Sequence, residues 1–135
     1  MAPCSPRAAG RPRLLAALAL TVTLSLPAVA PGHAIVLESS PAHDAALSVP
    51  PDRVVLRFNG RIEHALSRAT IEEVGGRPVV VPVSSAAPDL PSSPDRLVIP
   101  LRPLPAGTYV VRFKVLAADG HITEGALRFS VKAAR

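Results

Sequence analysis

The sequence has one cysteine, no tryptophan, one tyrosine, three phenylalanines and one methionine, Met1. A single cysteine excludes a disulfide framework and any multi-cysteine zinc or iron–sulfur site. Without tryptophan there is no broad aromatic platform on which a carbohydrate could stack. Long apolar runs are also missing. The longest, residues 14–26, is 13 residues, against the roughly 20 that a helix needs to cross a bilayer. Sixteen prolines argue against a helical bundle, because an interior proline removes a hydrogen bond and clashes with the preceding turn. The apolar fraction of 48% is too high, and the charge too low, for a disordered chain. A length of 135 residues allows one folded domain.

The first 32 residues have the pattern of an export signal. Arg7, Arg11 and Arg13 precede the apolar run, no acidic residue occurs before Glu38, and the run ends at Pro27 in a small-residue segment. Cleavage after Gly32 uses Ala30 and Gly32 as the small pair and makes His33 the new N-terminus. Cleavage after Ala34 is the competing arrangement and discards the histidine. Cys4 lies before the apolar run, whereas a lipoprotein cysteine follows it, so it leaves with the signal. The expected organisation is a cleaved signal over 1–32 and one domain over 33–135. Removing three arginines leaves Lys+Arg 15 − 3 = 12 against 10 acidic residues, a net charge of +2. The basic character is therefore partly a property of the leader, and a nucleic-acid partner loses its support. The product is expected outside the cytoplasm, periplasmic or extracellular.

Beyond His33 the apolar pattern has period two. Val54, Leu56 and Phe58 alternate with Arg53, Val55 and Arg57, and Val111, Phe113 and Val115 alternate with Arg112 and Lys114. Leu127, Phe129 and Val131 alternate with Arg128, Ser130 and Lys132. One face of each such strand meets a core and the other meets water. With the shorter runs, strands are predicted over 34–39, 52–58, 66–73, 77–83, 95–101, 107–117 and 122–131. Turn signals at Pro50-Pro51, Gly75-Gly76, Pro105-Ala106-Gly107 and Asp119-Gly120 separate them. About seven short strands in a domain of this size predict an all-β, immunoglobulin-like antiparallel β-sandwich. Residues 84–94, rich in Ser, Ala and Pro, read as a flexible surface loop. The three phenylalanines read as core.

Chemistry rests on the histidines. Asp119-Gly120-His121 places a carboxylate and an imidazole two residues apart, a spacing that puts both on one side of an extended backbone. Alone the motif is weak, since Asp-Gly is also a hairpin turn. A histidine at a free N-terminus adds two nitrogens, amine and imidazole, that chelate one ion. His33, Asp119 and His121 together offer three nitrogens and one oxygen, a donor set that suits Cu(II) in a tetragonal plane. With neither cysteine nor methionine after residue 32, nothing favours Cu(I). Protons compete for these nitrogens, so binding is expected to weaken below about pH 6. His43 reads as an exposed turn residue and His64 as a solvated surface residue. No serine stands in a nucleophile-elbow context.

The same residues resemble the CopC family of secreted copper-binding proteins. The resemblance runs from His33-Ala34 and Ser39-Ser40-Pro41-Ala42 through Val54-Val55-Leu56-Arg57-Phe58 and Leu104-Pro105-Ala106-Gly107-Thr108-Tyr109. It ends in Asp119-Gly120-His121 and Phe129-Ser130-Val131. It implies a seven-stranded β-sandwich with a Cu(II) site at His33, Asp119 and His121. It further implies a role in copper buffering, resistance or delivery to a CopD-type inner-membrane copper transporter, by a monomer that is not an enzyme. Where family members often carry a glutamate two residues after the second-strand phenylalanine, this chain has Gly60, and Glu63 is out of register. Two other readings remain at this stage. One is a copper oxidase or monooxygenase that holds its metal through the N-terminal histidine. The other is a metal-free immunoglobulin-like interaction module.

Overall fold

The computed structural model describes residue 1 and residues 33–133. The expected leader over 1–32 therefore falls, Met1 apart, outside the described residues. Eight strands follow in order: β1 (Val36–Ser40), β2 (Ala45–Leu47), β3 (Arg53–Phe58), β4 (Arg68–Glu73), β5 (Val79–Val81), β6 (Arg96–Pro100), β7 (Gly107–Leu116) and β8 (Ile122–Val131). A single 3-10 turn, His64–Leu66, links β3 to β4, and no α-helix occurs among the described residues.

The strands form two sheets, β1-β3-β6 and β2-β8-β7-β4-β5. The long hairpin β7–β8 organises the larger one, pairing residue by residue from Gly107↔Val131 to Leu116↔Ile122. Alternating residues of β3, β7 and β8 point into the sandwich, as the period-two pattern requires. Val54, Leu56, Phe58, Val111, Val115 and Phe129 are each at most 1% exposed. Each such side chain contributes about 1.5–3 kcal/mol by leaving water. Phe58 and Phe113 meet edge to face across the sheets, with centroids 5.9 Å apart. Phe129 lies beside Tyr109 at 5.8 Å. All three phenylalanines are core, as expected. The Tyr109 hydroxyl donates to the Pro105 carbonyl at 2.8 Å, closing the corner that leads into β7 much as a tyrosine does in immunoglobulin-type sandwiches.

Two local features depart from the sequence reading. β2 was expected to be part of a turn. It is a three-residue strand that runs parallel to β8, with Ala45↔Phe129 and Leu47↔Val131 in register. Three residues are too few to show alternation, and alanine is a poor strand former. The segment 84–94 is clipped to the smaller sheet instead of being a free loop. Ser84 exchanges both backbone bonds with Val98, and Arg53 grips Asp89 through two nitrogens at 2.5 and 2.6 Å. Arg96 donates to the Pro91 carbonyl at 2.8 Å. Polar composition predicted exposure correctly but carried no information about these long-range partners.

Candidate metal centre

The candidate residues meet at one end of the sandwich, where the chain enters the fold and where the β7–β8 hairpin turns. His33 is placed by its neighbours. Ala34 is 2% exposed and packs into the core. Ile35 is held twice by Asn59: its N–H donates to Asn59 Oδ1 at 2.8 Å, and its carbonyl accepts the Asn59 N–H at 2.9 Å. Sequence reasoning passed over Asn59 as part of an Asn-Gly turn signal, yet it is the residue that ties the entering segment to the end of β3.

His121 is placed by the hairpin turn. Gly120 adopts a left-handed φ of +88°, a conformation that glycine takes without strain. The Gly120 N–H donates to the Ala117 carbonyl at 2.9 Å and the Ala117 N–H to the His121 carbonyl at 2.8 Å. Asp119 and His121 are therefore brought together by a turn and not by extended backbone, which corrects the geometric reason given above. One Asp119 oxygen, Oδ1, accepts the His121 main-chain N–H at 3.0 Å. The other, Oδ2, lies 3.2 Å from His121 Nδ1. The Asp119 side chain is 19% exposed and that of His121 49%, so the carboxylate sits deeper and the imidazole faces outward.

The His33 ring then lies against the His121 ring, centroids 5.1 Å apart and planes tilted by 36°. Two imidazoles on one ion, each with a nitrogen about 2 Å from it, have centroids roughly 4–6 Å apart. The observed separation falls within that range. The three side chains are neighbours, not a closed set of donors: among the described residues no three His, Cys, Asp or Glu side chains already converge on one point as metal ligands do. Closing the set requires only that Asp119 Oδ2 leave the His121 ring while Oδ1 keeps its main-chain bond. One further polar group stands close in sequence. The buried Thr123 hydroxyl, two residues beyond His121, has no hydrogen-bond partner among the described residues.

The other two histidines are elsewhere in function. His43 lies in the turn before β2, as expected, its side chain 59% exposed, and accepts the Arg128 N–H at 3.3 Å. The next residue, Asp44, has a positive φ of 60°, which aspartate tolerates better than most residues. His64 is not solvated as expected. It is half-buried with Nε2 2.5 Å from the Arg96 carbonyl, a structural link from the 3-10 turn to β6. Glu63 stays exposed, and its carbonyl caps that turn by accepting the Ser67 hydroxyl at 2.9 Å.

A small two-sheet β-sandwich that seats imidazoles at one end, with no helix among the described residues long and apolar enough to cross a membrane, defines the class of protein. The chain belongs to the CopC family, whose CopC domain model matches residues 36–132. Asp119 and His121 lie inside that match and His33 just before it. Copper resistance protein C of Xanthomonas campestris pv. juglandis is 33% identical over 125 residues, covering 89% of this chain and 97% of the relative. Protein YobA of Escherichia coli K12 is 31% identical over 119 residues, covering 84% and 89%. Among solved structures, CopC from Methylosinus trichosporium OB3b superposes with a TM-score of 0.67 at 34% identity, over 76% of this chain and 97% of that one. PcoC, a methionine-rich copper resistance protein from Escherichia coli, gives 0.61 at 30% identity, over 75% and 100%.

Proposed function

We propose that this chain is an exported, non-enzymatic copper-binding protein of the cell envelope. After cleavage at Gly32, His33 contributes its amine and imidazole, and Asp119 and His121 contribute an oxygen and a nitrogen. The observation that carries the reading is the contact of the His33 and His121 rings, with Asp119 against the second, in a chain of the CopC family. Nitrogen donors with one carboxylate suit Cu(II), and the mature chain has no sulfur donor for Cu(I). Such a site serves copper buffering, resistance or hand-over to a CopD-type inner-membrane transporter, in the periplasm or outside the cell. The protein acts as a monomer. An oxygen-activating enzyme needs a vacant metal position, and Asp119 stands where it would take that position.

The test is a competition titration of Cu(II) against the secreted chain, with intact mass measured on the same sample. A chain beginning at His33 that binds one Cu(II) tightly, and loses that affinity when one residue is added before His33, supports the chelate. A chain beginning at Ile35, or one beginning at His33 that binds no better than free histidine, removes the metal reading and leaves the interaction module.

A further inference from the structure

We propose that a cleft beside Asp119 admits a small carboxylate, held by Arg61, into the coordination sphere of the bound copper. The inference rests on the copper reading above and concerns a ligand that the chain does not itself supply.

A cavity of about 180 Å³ opens beside the candidate metal centre, with Asp119 in its wall. Its other walls are short or absent side chains, Ala34, Ala117 and Ala118 together with Gly60. Gly60 has no positive φ, and a Cβ added there would meet nothing within 4 Å. The backbone therefore does not demand glycine at this position. The consequence of having it is space next to a metal ligand.

Arg61 completes the cleft. Its main chain is anchored, the carbonyl accepting the Ala118 N–H at 3.0 Å, while the residue as a whole is exposed. Four other arginines are spent on carboxylates: Arg53 on Asp89, Arg57 on Glu38, Arg112 on Glu72 and Arg128 on Asp44. Arg61 enters none of the ion pairs among the described residues. The cleft thus presents one uncommitted cation beside a site that gains a divalent ion.

An anion there is attracted from two sides. The residues of this chain fill at most the four positions of a tetragonal plane, and Cu(II) accepts a weaker axial donor beyond them. A carboxylate is planar and has two oxygens. One can face the copper while the other accepts from the guanidinium, the geometry that arginine recognises best. The volume suits a group of a few heavy atoms, either a dissolved monocarboxylate or the end of an acidic side chain from a docking protein.

The test uses the chain beginning at His33, loaded with one Cu(II), at fixed pH and ionic strength. Acetate is titrated in while the copper EPR and visible spectra are recorded. A saturable spectral change is expected. Arg61→Gln should raise the half-saturation concentration about fivefold, as for loss of one exposed ion pair. Gly60→Leu should abolish the response and leave copper affinity unchanged. A glutamate residue capped at both ends, used as a second probe, separates the sources. A response equal to that of acetate assigns the cleft to a partner's side chain, and a response to acetate alone assigns it to a dissolved anion. Spectra that ignore acetate, or that respond equally in both variants, overturn the proposal. Failure of the copper reading is seen separately, because the chain then takes up no Cu(II) before any acetate is added.

Discussion

The His33 imidazole rests against that of His121, centroid to centroid 5.1 Å, although one residue precedes the first strand and the other opens the last. Neither ring creates this contact. It is imposed from outside, by Asn59 holding Ile35 on one side and by the left-handed Gly120 shaping the hairpin turn on the other.

Asn59→Ala should therefore weaken copper binding without touching a proposed ligand. The loss removes the bond to the Ile35 N–H, worth about 1 kcal/mol, and frees residues 33–35 to move away from His121. The expected result is a Cu(II) affinity about tenfold lower with a small fall in Tm. Unchanged affinity in the competition titration would mean that the buried Ala34 alone positions the entering segment.

Glycines 60 and 120 should respond in opposite ways to alanine. At Gly120 the φ of +88° costs an L-residue about 1–2 kcal/mol, and the strain falls on the turn that carries Asp119 and His121. Gly120→Ala should lower both stability and copper affinity. Gly60→Ala meets open space, so stability should hold or rise by up to about 1 kcal/mol. Chemical denaturation of the two variants side by side decides this.

Gly125 is required for a packing reason. A Cβ there would lie 2.3 Å from Cζ of Phe113, the ring that meets Phe58 across the sandwich. Gly125→Ala should destabilise by about 1–3 kcal/mol through overpacking. Adding Phe113→Leu should recover part of that loss, so the double variant should be less unstable than the two separate losses added together.

Acid should loosen the segment 84–94 first. The hydrogen bond from Arg53 holds the Asp89 carboxyl below the ordinary carboxylate range. A depressed folded value means that the clamp contributes above the ordinary pKa, near 4, and is lost as pH falls through the lower folded value. Amide exchange over 85–93, corrected for its intrinsic pH dependence, should accelerate below about pH 4. Arg53→Gln should produce the same acceleration at neutral pH.

Much of the sandwich was legible before any coordinates. β3, β7 and β8 alternate so regularly that their inward residues could be listed, and the three phenylalanines are buried where that alternation puts them. β2 was missed because three residues cannot display a period, and it exists only because the edge of β8 is there to pair with it. His64 looked like a surface residue because its partner is the main chain of Arg96, 32 positions away. The Asp119–His121 pair was found for a partly wrong reason, since a turn and not a strand joins them.

By itself the sequence determined the strands, their inward faces, the turn glycine and the nitrogen and oxygen chemistry available for a metal, because these depend on residue type and short spacing. Only the tertiary structure decided that His33 lies beside His121, that Arg53 clamps Asp89, and that Gly60 and Arg61 border a cleft at Asp119. Those relationships follow from which strands pair and in what register, and that is settled by packing the whole sandwich at once. No local period along the chain contains it.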